Sequence, residues 1–241
     1  MRNVVDVLGV FVDRDGFSDV VDKTAQFLNE GTPRAVYTPN PEIIMHAYRN
    51  PWYKELLNRG DVVVPDGIGV VIASKILNKP VKERVAGFDV TCRLLEYAGK
   101  NGKKVYVYGG KEENCKAATV KIKEKFGAEV CGYTNGYITD DKAVALDIKN
   151  KGADMVLVCL GAPKQEVWID KYKNIAGAKL YIGAGGSVDV LADAVRRAPD
   201  IFIKLNLEWF YRLCKQPKRF IRMLDLPLFI FKILTVGKRQ K

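Results

Sequence analysis

Short β-branched runs separated by helix-length amphipathic stretches constrain the fold of this chain more than any other feature. The predicted strands are Val4–Val12, Ala35–Thr38, Asp61–Val64, Lys104–Tyr108, Glu129–Tyr133, Met155–Leu160 and Lys179–Ile182. Between them the periodicity predicts helices: Ser18 capping Asp19–Asn29, a segment from Pro41 through Tyr48, then Phe88–Lys100, Glu112–Phe126, Asp140–Asn150 and Lys164–Tyr172. Strands rich in Val and Ile, with little polar alternation, suit a parallel sheet covered on both faces. Strand and helix in regular alternation predict a Rossmann-like, doubly wound, mostly parallel α/β sheet. The alternation stops near Arg196, and beyond it only helical periodicity remains, broken by Pro199, Pro217 and Pro227. The expected organisation is an α/β domain over 1–195 and a basic, amphipathic helical appendage over 196–241.

Charge marks the same boundary. Residues 196–241 carry 12 Lys or Arg against 3 acids, whereas 1–195 carry 27 against 25, so most of the net +11 is local to the tail. Beside those cations runs Leu226–Val236, an apolar stretch of 11 residues that contains Lys232. A membrane span needs about 20 apolar residues, so this segment is expected to lie on an anionic leaflet, where each nearby Lys or Arg contributes ~1 kcal/mol. An ordinary basic surface over core helices is the competing reading. The aliphatic setting of Phe229-Ile230-Phe231 is unlike a base-stacking platform, so nucleic acid is not the expected partner. Apolar tail surface left off the membrane predicts self-association into a homo-oligomer. The first residues, Met1-Arg-Asn-Val-Val-Asp-Val, lack the apolar core of a signal peptide. Five scattered Cys with no C-x-x-C pair point to a reducing cytoplasm, and one His, His46, argues against a His-rich metal centre.

In open α/β sheets ligands bind outside the carboxyl ends of the strands. Five predicted strands run into unusual loops there: Thr38–Glu42, Pro65–Gly69, Gly109-Gly110, Gly161–Glu166 and Gly183–Asp189. Gly109, Gly110, Gly185 and Gly186 would let backbone N–H groups approach a phosphate. No G-K-[ST] follows either glycine loop and neither completes G-x-G-x-x-G, so NAD is weakly supported and a nucleotide diphosphate is favoured. Asp66, at a strand mouth before Gly67, is the candidate base. Partial desolvation would raise its pKa, and a helix cap is the alternative role. Thr38 and Asn40 suit sugar hydroxyls, or simply the turn between two prolines. Gln165 could orient a ligand, while Glu166 complements a helix dipole. Asp13-Arg-Asp15 matches Asp-x-Asp but reads more naturally as a turn, so no metal and no cofactor is expected. Charge on a departing diphosphate would then fall to Arg84, Arg212, Arg219 and Arg222.

Taken together, TPNPE (38–42), PDGIGV (65–70), ERVAGFD (83–89), YGG (108–110), LGAPKQEVW (160–168), GAGGSVD (183–189) and RRAP…LEWFYRL…PKRFIR (196–222) resemble the WecG/TagA/CpsF glycosyltransferases. The stretches cover nearly the whole chain in order. The resemblance implies transfer of N-acetylmannosamine, or its uronate, from the UDP-sugar to undecaprenyl-diphosphate-linked N-acetylglucosamine. It also implies inversion, no metal ion, and peripheral attachment to the inner face of the cell membrane. By motif position it places the base on Asp66, and supporting roles on Thr38, Asn40, Arg84 and Gln165. It places the family's tail arginines on Arg212, Arg219 and Arg222, and Asp189, at the end of the second glycine loop, is a further substrate-binding candidate. The tail stretch Leu-Glu-Trp-Phe-Tyr-Arg-Leu looks most like the branch that builds the wall teichoic acid linkage unit.

Overall fold

A computed structural model describes residues 2–215 and 224–236. The chain opens with an antiparallel hairpin, β1 (Val4–Val7) and β2 (Val10–Asp13). The single strand expected over Val4–Val12 is therefore two. Leu8 and Gly9 both take positive φ (54° and 89°), and the Asp6 carboxylate accepts from the Gly9 amide at 2.6 Å. This is the two-residue reversal that the twist of a hairpin favours.

Six strands form one parallel sheet: β3 (Arg34–Tyr37), β4 (Val62–Val63), β5 (Lys104–Tyr108), β6 (Glu129–Thr134), β7 (Met155–Val158) and β8 (Leu180–Gly183). Their spatial order is β4-β3-β8-β7-β5-β6. The expectation of a covered parallel sheet holds. Tyr37, Tyr106, Tyr108, Val156, Val158 and Tyr181 enter one core, and Val36, Val105, Val107, Met155, Leu157 and Ile182 the other. Alternate residues of one strand thus feed opposite layers, as the period of two requires.

The Tyr-lined face is covered by α2 (Pro41–Arg49), α3 (Pro51–Asn58), α4 (Ile68–Ile76), α7 (Asp141–Asn150) and α8 (Lys164–Ala176), together with the hairpin. The aliphatic face is covered by α1 (Phe17–Phe27), α5 (Gly87–Lys100), α6 (Glu112–Phe126) and the short α9 (Ser187–Leu191). Helix α1 starts earlier than expected: its N-cap is Gly16, whose amide donates to the Asp19 carboxylate at 3.1 Å, and Ser18 is not the cap. Helix α6 begins with Glu112 and Glu113, ends with Lys123 and Lys125, and stops at left-handed Gly127, each charge matching the helix dipole.

After residue 195 come α10 (Asp200–Lys204), α11 (Glu208–Lys215) and α12 (Asp225–Thr235). Helix α12 packs on α2 and α4, where Phe229 and Ile233 are fully buried. Leu228, Phe231 and Leu234 of the same helix remain exposed. No helix among the described residues is long and apolar enough to cross a membrane.

Candidate active site

Because all six sheet strands are parallel, their carboxyl ends share one edge, and the five loops singled out in the sequence emerge there. From β5 the chain leaves toward the outer strand β6, whereas from β7 it turns back toward β8. The exits diverge between β5 and β7, which is where an open α/β sheet leaves a crevice. Gly109 sits at that point with φ +118°, and a Cβ there would lie 2.4 Å from the Cys159 carbonyl carbon. Only glycine permits this close approach of β5 to β7.

At the other end of the edge lies a cleft that unites three of the residues expected from sequence: Asn40, Asp66 and Arg84. Asn40 caps α2, its side-chain oxygen accepting from the Ile43 amide at 2.9 Å, so the turn role applies to it. Asp66 follows β4, and its amide donates to the Val64 carbonyl at 2.9 Å. Gly67 (φ +93°) occupies the N-cap position of α4, and Asp66, one residue earlier, lines the cleft. Arg84 comes from the segment before α5 and is nearly buried. Its guanidinium donates to the Glu208 carboxylate and lies 3.4 Å from the Asn206 side-chain oxygen. Phe88, Arg197, Glu208 and Trp209 complete the walls. Sequence reasoning passed over these four as site residues, although Phe88, Arg197, Glu208 and Trp209 all fall inside the motifs quoted above.

Arg197 is fixed by two contacts to Asp89, at 2.6 and 2.8 Å, and its guanidinium lies 5.0 Å from the Phe88 ring centre. Burial is the largest single influence and lowers its pKa, but the hydrogen bond it donates to Asp89 and the charges of Asp89 and Glu208 together hold it above the ordinary value. Its Nε also stands 3.7 Å from Glu208.

Thr38, Gln165, Gly185, Asp189 and Gly110 follow neighbouring strands, and each makes a hydrogen bond there. Thr38 Oγ1 donates to the Gly183 carbonyl at 3.1 Å, tying the loop after β3 to the loop after β8. The Gly185 amide donates to Gln165 Oε1 at 3.0 Å. Asp189 accepts from Asn114 of α6 at 2.7 Å, close to Gly110. The Gly136 amide donates to the Gly110 carbonyl at 2.8 Å. Glu166 stands in the first turn of α8, where its charge suits the helix dipole, but it is 1% exposed, and burial raises its pKa. Arg212 falls within α11, while Arg219 and Arg222 lie outside the described residues.

Asp13 is not a turn residue. It ends β2 fully buried, accepting from the Arg2 guanidinium at 2.6 and 2.8 Å and from the Val63 amide at 2.6 Å. That bonding pins the hairpin to β4. Among the described residues no three His, Cys, Asp or Glu side chains converge as a metal site.

Carboxylates, guanidinium groups and glycine turns gathered at one carboxyl edge have the character of a ligand site in an α/β enzyme. The model of the glycosyl transferase WecG/TagA/CpsF family matches residues 5–241. The N-acetylglucosaminyldiphosphoundecaprenol N-acetyl-beta-D-mannosaminyltransferase of Bacillus spizizenii is 39% identical over 225 residues, covering 93% of this chain and 88% of that one. The protein of the same name from Bacillus subtilis strain 168 is 38% identical over 226 residues, with the same shares covered. The one from Staphylococcus aureus strain MW2 is 35% identical over 240 residues, covering 98% of this chain and 94% of that one. This chain belongs to the WecG/TagA/CpsF family and is a glycosyltransferase.

Proposed function

We propose that this glycosyltransferase moves N-acetylmannosamine from UDP-N-acetylmannosamine onto undecaprenyl-diphosphate-linked N-acetylglucosamine, with inversion and without a metal ion, in building the wall teichoic acid linkage unit. The observation that carries the reading is the placement of Asp66 and Arg84 in one cleft of a chain whose relatives are named for this transfer. The Asp66 carboxylate takes the proton of the acceptor hydroxyl as that oxygen attacks the anomeric carbon. The bond from that carbon to the donor's diphosphate breaks, and UDP leaves from the opposite side. One displacement turns an α-linked donor into a β-linked product. Amides of the loops at Gly109-Gly110 and Gly183–Gly186, with arginines of the cleft and tail, stabilise the negative charge on the leaving diphosphate.

The segment from 196 onward serves in this reading as the appendage that meets the inner face of the cell membrane. Support comes from its +9 balance and from exposed Leu228, Phe231 and Leu234 beside Lys232 on α12. Phe229 and Ile233 pack inward, so the bilayer would meet only the outer side of that helix. The test incubates the full-length protein with a panel of UDP-sugars, the N-acetylmannosamine uronate donor included, and a short-chain diphosphate-linked N-acetylglucosamine. UDP release with UDP-N-acetylmannosamine, dependent on that acceptor and giving a β-linked disaccharide, is the expected result. Release with another donor alone would replace the donor assignment.

A further inference from the structure

Glu166 lies in the first turn of α8 yet is directed into the protein, 1% exposed. Among the described residues no cation is ion-paired with it, and burial pushes its pKa up against hydrogen bonds from Gln165 and Tyr53. Withdrawing a carboxylate from water without a cation is unfavourable unless its oxygens are hydrogen-bonded. Both are. Oε2 accepts from the Tyr53 hydroxyl of α3 at 3.0 Å, and Oε1 accepts from Gln165 Nε2 at 2.7 Å.

The second bond decides how the neighbouring amide is used. A glutamine side chain has a donor end and an acceptor end. With Nε2 held by Glu166, Gln165 must present Oε1, and that atom accepts from the Gly185 amide at 3.0 Å. The turn is held from its other side by Thr38, which donates to the Gly183 carbonyl. The fit is tight as well: a Cβ on Gly183 would lie 2.9 Å from Gln165 Nε2 and 3.4 Å from Glu166 Oε1. A line of hydrogen bonds therefore runs from Tyr53, fully buried in the core, through Glu166 and Gln165 to the glycine turn at the carboxyl edge.

We infer that Glu166 is a positioning residue for the diphosphate-binding turn after β8, acting through the Gln165 amide and not by touching substrate. The inference rests on the proposed UDP-sugar reading, which makes that turn part of the leaving-group site.

The experiment is a double-mutant cycle on the full-length protein. UDP affinity is measured by calorimetry, and donor KM and kcat in the transfer assay. Glu166→Leu and Gln165→Ala are each expected to weaken UDP binding by roughly tenfold, the scale of one hydrogen bond that orders a site. The double variant is expected to be no weaker than Gln165→Ala alone, because Glu166 acts only through that amide. Glu166→Gln keeps one acceptor for Gln165 Nε2 and can donate to the Tyr53 oxygen, so it should recover most of the lost affinity. Losses that add in the double variant, or a Glu166→Gln loss as large as that of Glu166→Leu, overturn the inference. Should Glu166→Leu not melt cooperatively, Tyr53→Phe replaces it. A UDP-binding loss that disappears in the Gln165→Ala background supports the inference, and a persistent or absent loss overturns it. Wild-type protein that fails to bind UDP removes the donor reading and this inference together. Binding with an additive cycle removes only the inference.

Discussion

The guanidinium of Arg84 is ion-paired with the carboxylate of Glu208, 124 positions further along the chain. Glu208 begins α11, so the contact joins the α/β domain to the tail at the wall of the cleft that holds Asp66. Both side chains are nearly buried, and Arg197 approaches the same carboxylate from the other side. Glu208 thus holds the guanidinium groups of Arg84 and Arg197 together at the cleft wall.

From this geometry Arg84→Gln is expected to lower kcat by ~10²–10³-fold, the usual cost of removing one preorganised group that stabilises developing negative charge. Steady-state transfer kinetics at saturating donor and acceptor measure it. Unchanged turnover would confine Arg84 to docking α11.

Asp66→Asn should leave folding and UDP binding nearly intact while lowering turnover by ~10²–10⁴-fold, the range supplied by a general base. The substitution keeps size but exchanges one carboxylate oxygen for an amide donor, which removes the proton acceptor. Paired calorimetry and turnover measurements separate these effects. Wild-type turnover under saturating substrates would show that the base is another group.

Gly109→Ala tests the close approach of β5 to β7. The added Cβ would meet the Cys159 carbonyl carbon at 2.4 Å, on a backbone with φ +118°. Thermal melting should show a loss of about 1–3 kcal/mol, the scale of strain at such positions, with weaker UDP binding from the displaced loop. Unaltered melting and binding would mean that the strands separate at no cost.

Phe229→Ala probes whether α12 is part of the core. Its ring is fully buried against the layer formed by α2 and α4, so the cavity should cost ~3–5 kcal/mol in denaturant unfolding. Phe231→Ala, on the exposed side, should barely alter unfolding yet weaken liposome flotation, since an exposed aromatic contributes to insertion and not to folding. Removing everything from Arg196 onward should abolish both flotation and turnover on a soluble acceptor. Retained soluble turnover would make the tail an anchor alone.

EDTA is expected to leave activity intact. The Asp13 carboxylate, the strongest sequence candidate for a metal, is engaged by Arg2 and the Val63 amide. Complete loss on chelation with rescue by Mg²⁺ or Mn²⁺ would overturn this and direct attention elsewhere in the chain.

The sequence by itself determined the layered fold, because burial on both faces imposes Val- and Ile-rich runs and helical faces impose their own period. It also determined that Thr38, Asn40, Asp66, Gly109, Gln165 and Gly185 stand at one edge, since strands in parallel must deliver their following loops to the same side. The turn at Leu8-Gly9 and the separate helix Pro51–Asn58 were not read from the sequence, although Gly9 and Asn50-Pro51 carry the local signals for them. Only the tertiary structure decided which charges meet. Arg84 with Glu208, Arg197 with Asp89, and Tyr53 with Glu166 are separated by 124, 108 and 113 positions, and no local periodicity encodes such pairs. It likewise divided α12 between core and surface: Phe229 and Phe231 are alike in sequence, but helical geometry turns one toward α2 and α4 and the other to solvent.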